Sequence, residues 1–378
     1  MPSTPSNSAL TMGELAKVAG VSKMTVSLAL RGHSKISTPT RERIRALAEK
    51  MGYRPNPLVQ TLMANLRSTR PVNYHSTIAW ITAFPERDGW CGHWVYKLYH
   101  QGAVARAAAL GYKIEAFWAL APRMTGAALT RMLRTRGIRG LIVPPVGNPS
   151  TRLDIAWEHF SCATIGYSFM EPRLHRAAAN LREGMTRALA ECERRGFKRI
   201  GFAIPANTDA RVNHSWLAGY LAWQHFIPGK NRIPVLRVSD LLHESVPGWL
   251  KRHRPDVIIS PNTEFTTWLP GLGKRIPEDI SFVTLSRLED NMAGIKISGI
   301  SQNDQTIGEA AVDLVVSQLQ HNETGIPAYP RVVLTDGFWD EGTTLSPAAP
   351  EPGRTTRVAK SRGASPVKKD PRSKLRGI

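Results

Sequence analysis

Lys23, Met24, Thr25, Ser27 and Leu28 fall within six residues and bring three kinds of group together. A lysine ammonium donates to the acceptor edge of guanine. Methionine and leucine present apolar ends that suit a thymine methyl, and the two hydroxyls donate or accept. That mixture is the chemistry of reading base edges in a DNA groove. A second set suits phosphate oxygens: Thr11, Ser22, Arg31, Thr40 and Arg41, all hydroxyls and guanidinium groups. A third set is scattered through the middle of the chain: Trp90, His93, Trp94, Tyr167, Trp216, Asn262, Arg287 and Gln302. Aromatic faces mixed with amide and guanidinium groups can hold a small polar ring.

The first two sets need helices to aim them. Ser22 can cap a helix running to Leu30, because its hydroxyl can take a bond from a free backbone N–H. Val26, Ala29 and Leu30 then share one buried face, which leaves Lys23, Met24 and Ser27 on the other. Ahead of it, Thr11-x-x-Glu14 has the form of a capping box, and Met12, Leu15, Ala16 and Ala19 give that helix an apolar face. Gly20-Val21 makes the turn between the two, the spacing of a helix-turn-helix. Gly32 is placed to stop the second helix. A third helix is predicted from Thr38, a good cap followed by Pro39, with Ile44, Leu47, Ala48 and Met51 as its stripe. Asn56 and Pro57 open a short helix to about Ala64, carrying Leu58, Val59, Leu62 and Met63. It is too apolar to stand free and needs a partner or a groove.

The charge distribution agrees. The chain has 378 residues and a net charge of +20. Residues 1–70 hold 11 Lys/Arg against 3 Asp/Glu, and residues 351–378 hold 9 against 2. A polyanion partner is therefore expected at the ends, around a nearly ordinary globular middle. No apolar run approaches the roughly 18 residues that span a bilayer. The opening residues lack the basic start and apolar core of a secretory leader, so a cytoplasmic protein is expected. Cys91, Cys162 and Cys192 are scattered and form no disulfide framework or metal spacing. No phosphate-binding glycine loop and no Gly-x-Ser-x-Gly elbow occurs, so an enzyme is not expected and no cofactor is implied.

From Thr77 onward the periodicity changes. Short apolar strands at 77–81, 111–116, 140–143, 163–166, 199–204, 257–260, 280–284 and 331–334 alternate with helices at 96–110, 127–135, 183–195 and 306–319. Such alternation predicts parallel sheets with helices on both faces, and the number of units predicts two sheets.

Residues 10–64 resemble the DNA-binding headpiece and hinge helix of the lactose-repressor (LacI/GalR) family of bacterial transcriptional regulators. The matching run is Ala16-x-x-Ala19-Gly20-Val21-Ser22-x-x-Thr25-Val26-Ser27, then Ile36-Ser37-x-x-Thr40-Arg41, then Gly52-Tyr53-x-Pro55-Asn56. The middle of the chain is similar to that family's core, through Gly196-Phe197-Lys198-Arg199-Ile200, Gly219-Tyr220, Arg275-Ile276-Pro277-Glu278-Asp279-Ile280-Ser281 and Gly299-Ile300-Ser301-Gln302. The resemblance implies an all-α headpiece with a hinge helix. It also implies a periplasmic-binding-protein-like α/β core of two doubly wound parallel-sheet subdomains. It implies a homodimer on a palindromic double-stranded operator, with the second helix in the major groove. Asn56, Leu58, Val59 and Leu62 would lie at the minor groove, with Leu62 as the wedge between central base pairs. A small-molecule effector, sugar-like in many members, would bind the core cleft and modulate a regulator that is in most cases a repressor.

The chain departs from that pattern at several positions. Leu28 stands where members often carry Arg, so a different operator is expected. In the cleft, Trp216 replaces an Arg, Ser286 and Arg287 stand where an Asp is common, and Asn180 replaces an early Asp. The usual charged partners of sugar hydroxyls are missing or swapped. The expected layout is a disordered start at 1–10, a headpiece at 11–55, hinge and linker at 56–73, a core at 74–345 and a disordered basic tail at 346–378. Within the core, subdomain N takes 74–197 and 302–328, and subdomain C takes 198–301 and 329–345, with crossings near 197, 301 and 329. The alternative left open is a cytoplasmic small-molecule-binding protein whose basic ends bind nucleic acid without sequence preference.

Overall fold

Helices α1 (Met12–Ala19), α2 (Lys23–Leu30) and α3 (Thr38–Lys50) form the first part of the computed structural model, which describes residues 12–30, 36–51, 76–238, 242–286 and 294–346. None of the three helices is long enough to be stable alone. They share a small core of Leu15, Ala16, Ala19, Val26, Ala29, Ile44 and Ala48. The α1–α2 turn is as expected. Gly20 adopts φ +68°, and Val21 and Gly20 donate back to Ala16 and Lys17 at 3.1 and 3.2 Å. This left-handed stop satisfies the last carbonyls of α1 and lets α2 start at once. The cap of α3 is Ser37, one residue before the expected Thr38.

Leu15 is fully buried at the centre of this core. Leu15→Ala is expected to cost the headpiece about 2–5 kcal/mol, more than so small a unit can spare. Calorimetry should show the headpiece transition lost and the main transition unchanged, and specific DNA binding should disappear with it.

The rest of the described chain builds two six-stranded sheets. The first has the order β11-β5-β4-β3-β1-β2 and is parallel throughout. Its strands are β1 (Ser76–Thr82), β2 (Tyr112–Trp118), β3 (Gly140–Val143), β4 (Ser161–Ile165), β5 (His175–Ala179) and β11 (Val332–Thr335). The second has the order β12-β10-β9-β8-β6-β7, parallel except for β12 against β10. It is made of β6 (Ile200–Pro205), β7 (Leu236–Val238), β8 (Val257–Ser260), β9 (Ser281–Thr284), β10 (Gly299–Ser301) and β12 (Phe338–Asp340). Helices α4 (Trp94–Ala109), α5 (Gly126–Thr135) and α11 (Asp304–His321) serve the first sheet. Helices α6 (Leu181–Arg194), α7 (Ala206–Arg211), α8 (Ser215–Phe226), α9 (Leu242–His253) and α10 (Phe265–Gly271) serve the second. The two-sheet expectation holds.

Two of the three expected crossings between sheets move. The first lies just after β5, near Asn180, not near 197, because α6 packs its apolar face on α8 and against β10 and β12 of the second sheet. The third lies after Thr335, not near 329, because β11 is the edge strand of the first sheet. The second lies after Ser301, the last residue of β10. The crossings are tied together by side chains. Asn180 Nδ2 donates to Asp336 Oδ1 at 2.8 Å, and Asn303 Nδ2 donates to the Asp336 carbonyl at 2.8 Å. Asn180 therefore caps α6 and bolts the hinge, and it is not part of the cleft lining, where the family pattern would put it. The expectations for Thr11, Arg31, Asn56, Leu58, Val59, Leu62, Arg287 and the two ends fall outside the described residues.

Candidate nucleic-acid interface and ligand cleft

The face of α2 is set by its cap. Ser22 Oγ accepts from the Thr25 backbone N–H at 3.0 Å and lies 2.9 Å from Thr25 Oγ1. With the start of the helix fixed, Val26 and Ala29 turn into the core and are fully buried. Lys23 and Met24 point outward, and Met24 is 71% exposed. Thr25 and Leu28 are half-buried at the edge of the same face. The Ser27 side chain lies outside the described residues. At the start of α3, Ser37 Oγ and Thr40 Oγ1 lie 2.8 Å apart, and Arg41 Nη2 donates to Thr38 Oγ1 at 2.8 Å. The first turns of α2 and α3 thus expose hydroxyls and, at α3, a guanidinium beside helix N-termini, an arrangement that suits phosphate.

The second concavity opens between the two sheets, at the carboxyl ends of their strands, with a cavity volume of about 480 Å³. His93, Trp94, Tyr167, Trp216 and Gln302 of the expected set line it. Trp90 does not. Its ring packs on Trp80 and His100, at centroid distances of 6.4 and 5.0 Å. Asn262 is also absent from the lining. Its side chain turns to Glu264, accepting from the Glu264 backbone N–H at 3.0 Å. Trp216 is not in a loop but in the first turn of α8, where it is 4% exposed.

Several lining residues were missed: Tyr96 and Tyr99 on α4, Arg211 at the end of α7, and Asp304 at the start of α11. Arg211 reaches across the cleft, donating to the Gly147 carbonyl at 2.8 Å and to the Tyr96 hydroxyl. It therefore links the second-sheet unit to the first. Burial, and then the Arg211 charge, pushes the His93 imidazole down, which keeps it neutral. Burial pushes the Asp304 carboxyl up to about 7, against a hydrogen bond from Tyr99 that lowers it. Tyr167 is held by Arg176, whose guanidinium lies 5.3 Å from its ring centre and also donates to the Phe169 carbonyl at 2.9 Å. A missed carboxyl and a missed guanidinium are thus the charged groups of the lining among the described residues. Nothing among the described residues forms a group of His, Cys, Asp and Glu fit for a metal ion. No described helix is long and apolar enough to cross a membrane.

Comparison with known proteins agrees with both halves. Residues 11–56 match the model for bacterial regulatory proteins of the lacI family, and residues 189–336 match that for the periplasmic binding protein-like domain. The HTH-type transcriptional regulator AscG of Escherichia coli (strain K12) is 48% identical over 59 residues, which are 16% of this chain and 18% of AscG. The chain thus spans under a fifth of the length of that relative. Among solved structures, the Lac repressor dimer bound to operator and the anti-inducer ONPF aligns with a TM-score of 0.53 at 18% identity, covering 90% of this chain and 100% of that one. The CelR–cellobiose complex gives 0.52 at 15% identity, covering 89% and 99%. At these identities the likeness is one of fold. A helix-turn-helix segment that matches the lacI family of bacterial regulatory proteins, at residues 11–56, and a periplasmic binding protein-like domain, at residues 189–336, thus stand on one chain.

Proposed function

We propose that the protein is a repressor that binds a palindromic operator as a homodimer, under control of a small molecule in the cleft. The observation that carries this reading is α2 itself. It is capped by Ser22, buried through Val26 and Ala29, and exposed at Lys23 and Met24. In this reading Lys23, Met24, Thr25, Ser27 and Leu28 face base edges, while Thr11, Ser22, Arg31, Thr40 and Arg41 meet phosphates. Asn56, Leu58, Val59 and Leu62 act in the minor groove, Leu62 as the wedge. The solved Lac repressor dimer holds operator, and the CelR structure holds cellobiose. A palindrome read by a twofold dimer follows the same geometry. A change in the relative angle of the two sheets, pivoting on Asn180, Asn303 and Asp336, would pass ligand occupancy to the headpieces. Such a protein works in the cytoplasm, where the DNA is.

Selection of bound duplexes from a random library, at near-physiological salt, tests this. A recovered palindrome is expected, with a deformable pyrimidine–purine step at its centre. Lys23→Ala should weaken that site by about 1–3 kcal/mol and relax the preference at one base position in each half-site. Leu62→Gly should remove specific binding altogether. Recovery of unrelated sequences bound at low salt alone would overturn the reading in favour of nonspecific phosphate attraction.

A further inference from the structure

We propose that the cleft takes a cationic amine, a small ring or short chain bearing a protonated amino group together with a hydrogen-bond acceptor. The proposal rests on the reading of this cleft as the effector site. Three buried polar atoms of its lining have no partner among the described residues: Trp216 Nε1, Gln302 Oε1 and Asp304 Oδ1. Their residues are 4%, 4% and 7% exposed. Buried polar groups left unpaired are costly, so the three atoms mark where a ligand must hydrogen-bond.

Their chemistry is specific. The Gln302 amide cannot flip, because its Nε2 donates to the Leu285 carbonyl and a flip would set oxygen against oxygen. It therefore offers an acceptor. Asp304 offers a second acceptor two residues on. It stands in the first turn of α11, a helix of 18 residues, where the N-terminal dipole favours the charged carboxylate. The ligand must then supply donors to both. It must also supply positive charge, because Arg211 is held by Tyr96 and Gly147. An ammonium brings three N–H groups and a charge, whereas a hydroxyl brings one O–H and leaves the carboxylate uncompensated. Around it, the rings of Trp94, Tyr96, Tyr99 and Tyr167 supply faces that attract a cation. Trp216 Nε1–H needs the opposite, and so requires an acceptor on the same molecule. Among the described residues, the other titratable groups lining the cleft are His93, which burial pushes toward its neutral form, and the phenols, which burial holds protonated.

Two matched pairs test the proposal by calorimetry on the full chain: benzylamine against benzyl alcohol, and D-glucosamine against D-glucose. Each pair differs by an amino group in place of a hydroxyl. At about pH 8 the amine of at least one pair is expected to bind about tenfold more tightly than its partner, for a charge-assisted bond against a neutral one. For benzylamine at about pH 6, where Asp304 is still largely protonated and the amine is already an ammonium, binding should also release protons, seen as a heat that varies with the buffer. In Asp304→Asn, checked for folding by its melting transition, the preference should fall to near one. Alcohols binding as tightly as amines, or a preference that survives Asp304→Asn, would overturn the amine class and leave the effector cleft standing with a neutral ligand. No binding by any of the four, in protein with intact operator binding, would overturn the amine class and the effector reading together.

Discussion

Gly308→Ala is expected to destabilise the core by about 3–5 kcal/mol, near the top of the range for single substitutions. A Cβ at Gly308 would sit 2.0 Å from the Tyr99 carbonyl oxygen. Its counterpart Gly102 on α4 faces the Gln305 carbonyl of α11 at 1.9 Å in the same sense. The two helices thus cross backbone to backbone, each glycine lying under the other helix. No rotamer can relieve such a contact, so the helices must part. Parting them strips Ala103 and Ala107 from Ile307, Ala311 and Val312, all fully buried in one shared core. It also moves Tyr99 and Asp304, which line the cleft from these same two helices. Urea denaturation should show the loss, with weakened ligand binding in whatever remains folded. Gly248→Ala is the control: it lies in α9 with nothing near its missing Cβ. It should be neutral or stabilising by up to about 1 kcal/mol, as expected for adding a methyl to an open helical site. Equal effects at the two positions would mean that helix propensity, and not the crossing, governs Gly308.

The two-sheet core was legible because its strands are short, apolar and separated by amphipathic helices. Where a strand lacked those marks it was missed. β5 reads His175-Arg176-Ala177-Ala178-Ala179, a helix-prone run, yet it is fully buried between β4 and β11. Neighbouring strands override alanine's preference there. α9 was missed because Pro247-Gly248 in its middle looks like a break. The misplaced first crossing has a different cause. Periodicity shows that α6 has an apolar face, but not which sheet receives it.

The sites divide in the same way. The exposure of Lys23 and Met24 was legible because a capped helix with one buried face leaves little choice for the other. Trp94 and Tyr167 were found as aromatics near strand ends, but so was Trp90, whose ring turns into its own subdomain. Asp304 was missed because a carboxylate in the first turn of a helix reads as a dipole partner. Arg211 was missed because an arginine in a six-residue helix reads as surface. Nothing in the local sequence says that these two side chains share a cavity. That depends on how the two sheets meet.

Asp304→Asn is expected to stabilise the unliganded protein at pH 8 and to leave it little changed at pH 4. Burial holds the carboxyl at about 7, against an ordinary value of 3.8. Between these two values the folded protein keeps a proton that the unfolded chain has released. Folding stability from this group is therefore fully present below pH ~4 and is lost as pH rises through ~7. A tenfold change in proton affinity corresponds to about 1.4 kcal/mol, so the loss has a ceiling of about 4 kcal/mol, part of which the dipole of α11 and entering water return. An expected gain of about 2 kcal/mol for the asparagine at pH 8 follows, since Asn carries no charge to bury. Other groups push the opposite way. Glu191, held low by hydrogen bonds from Arg194 and from Arg195, stabilises the fold as pH rises. For that reason the informative quantity is the difference between the two proteins at each pH, measured by urea denaturation, in which the Glu191 contribution cancels. A gap that opens from pH 4 to pH 8 places the cost on a carboxylate with no partner. A gap that stays near zero at both would mean that the ionised carboxylate is already satisfied inside the empty cleft, and that it has no need of a donor from any ligand.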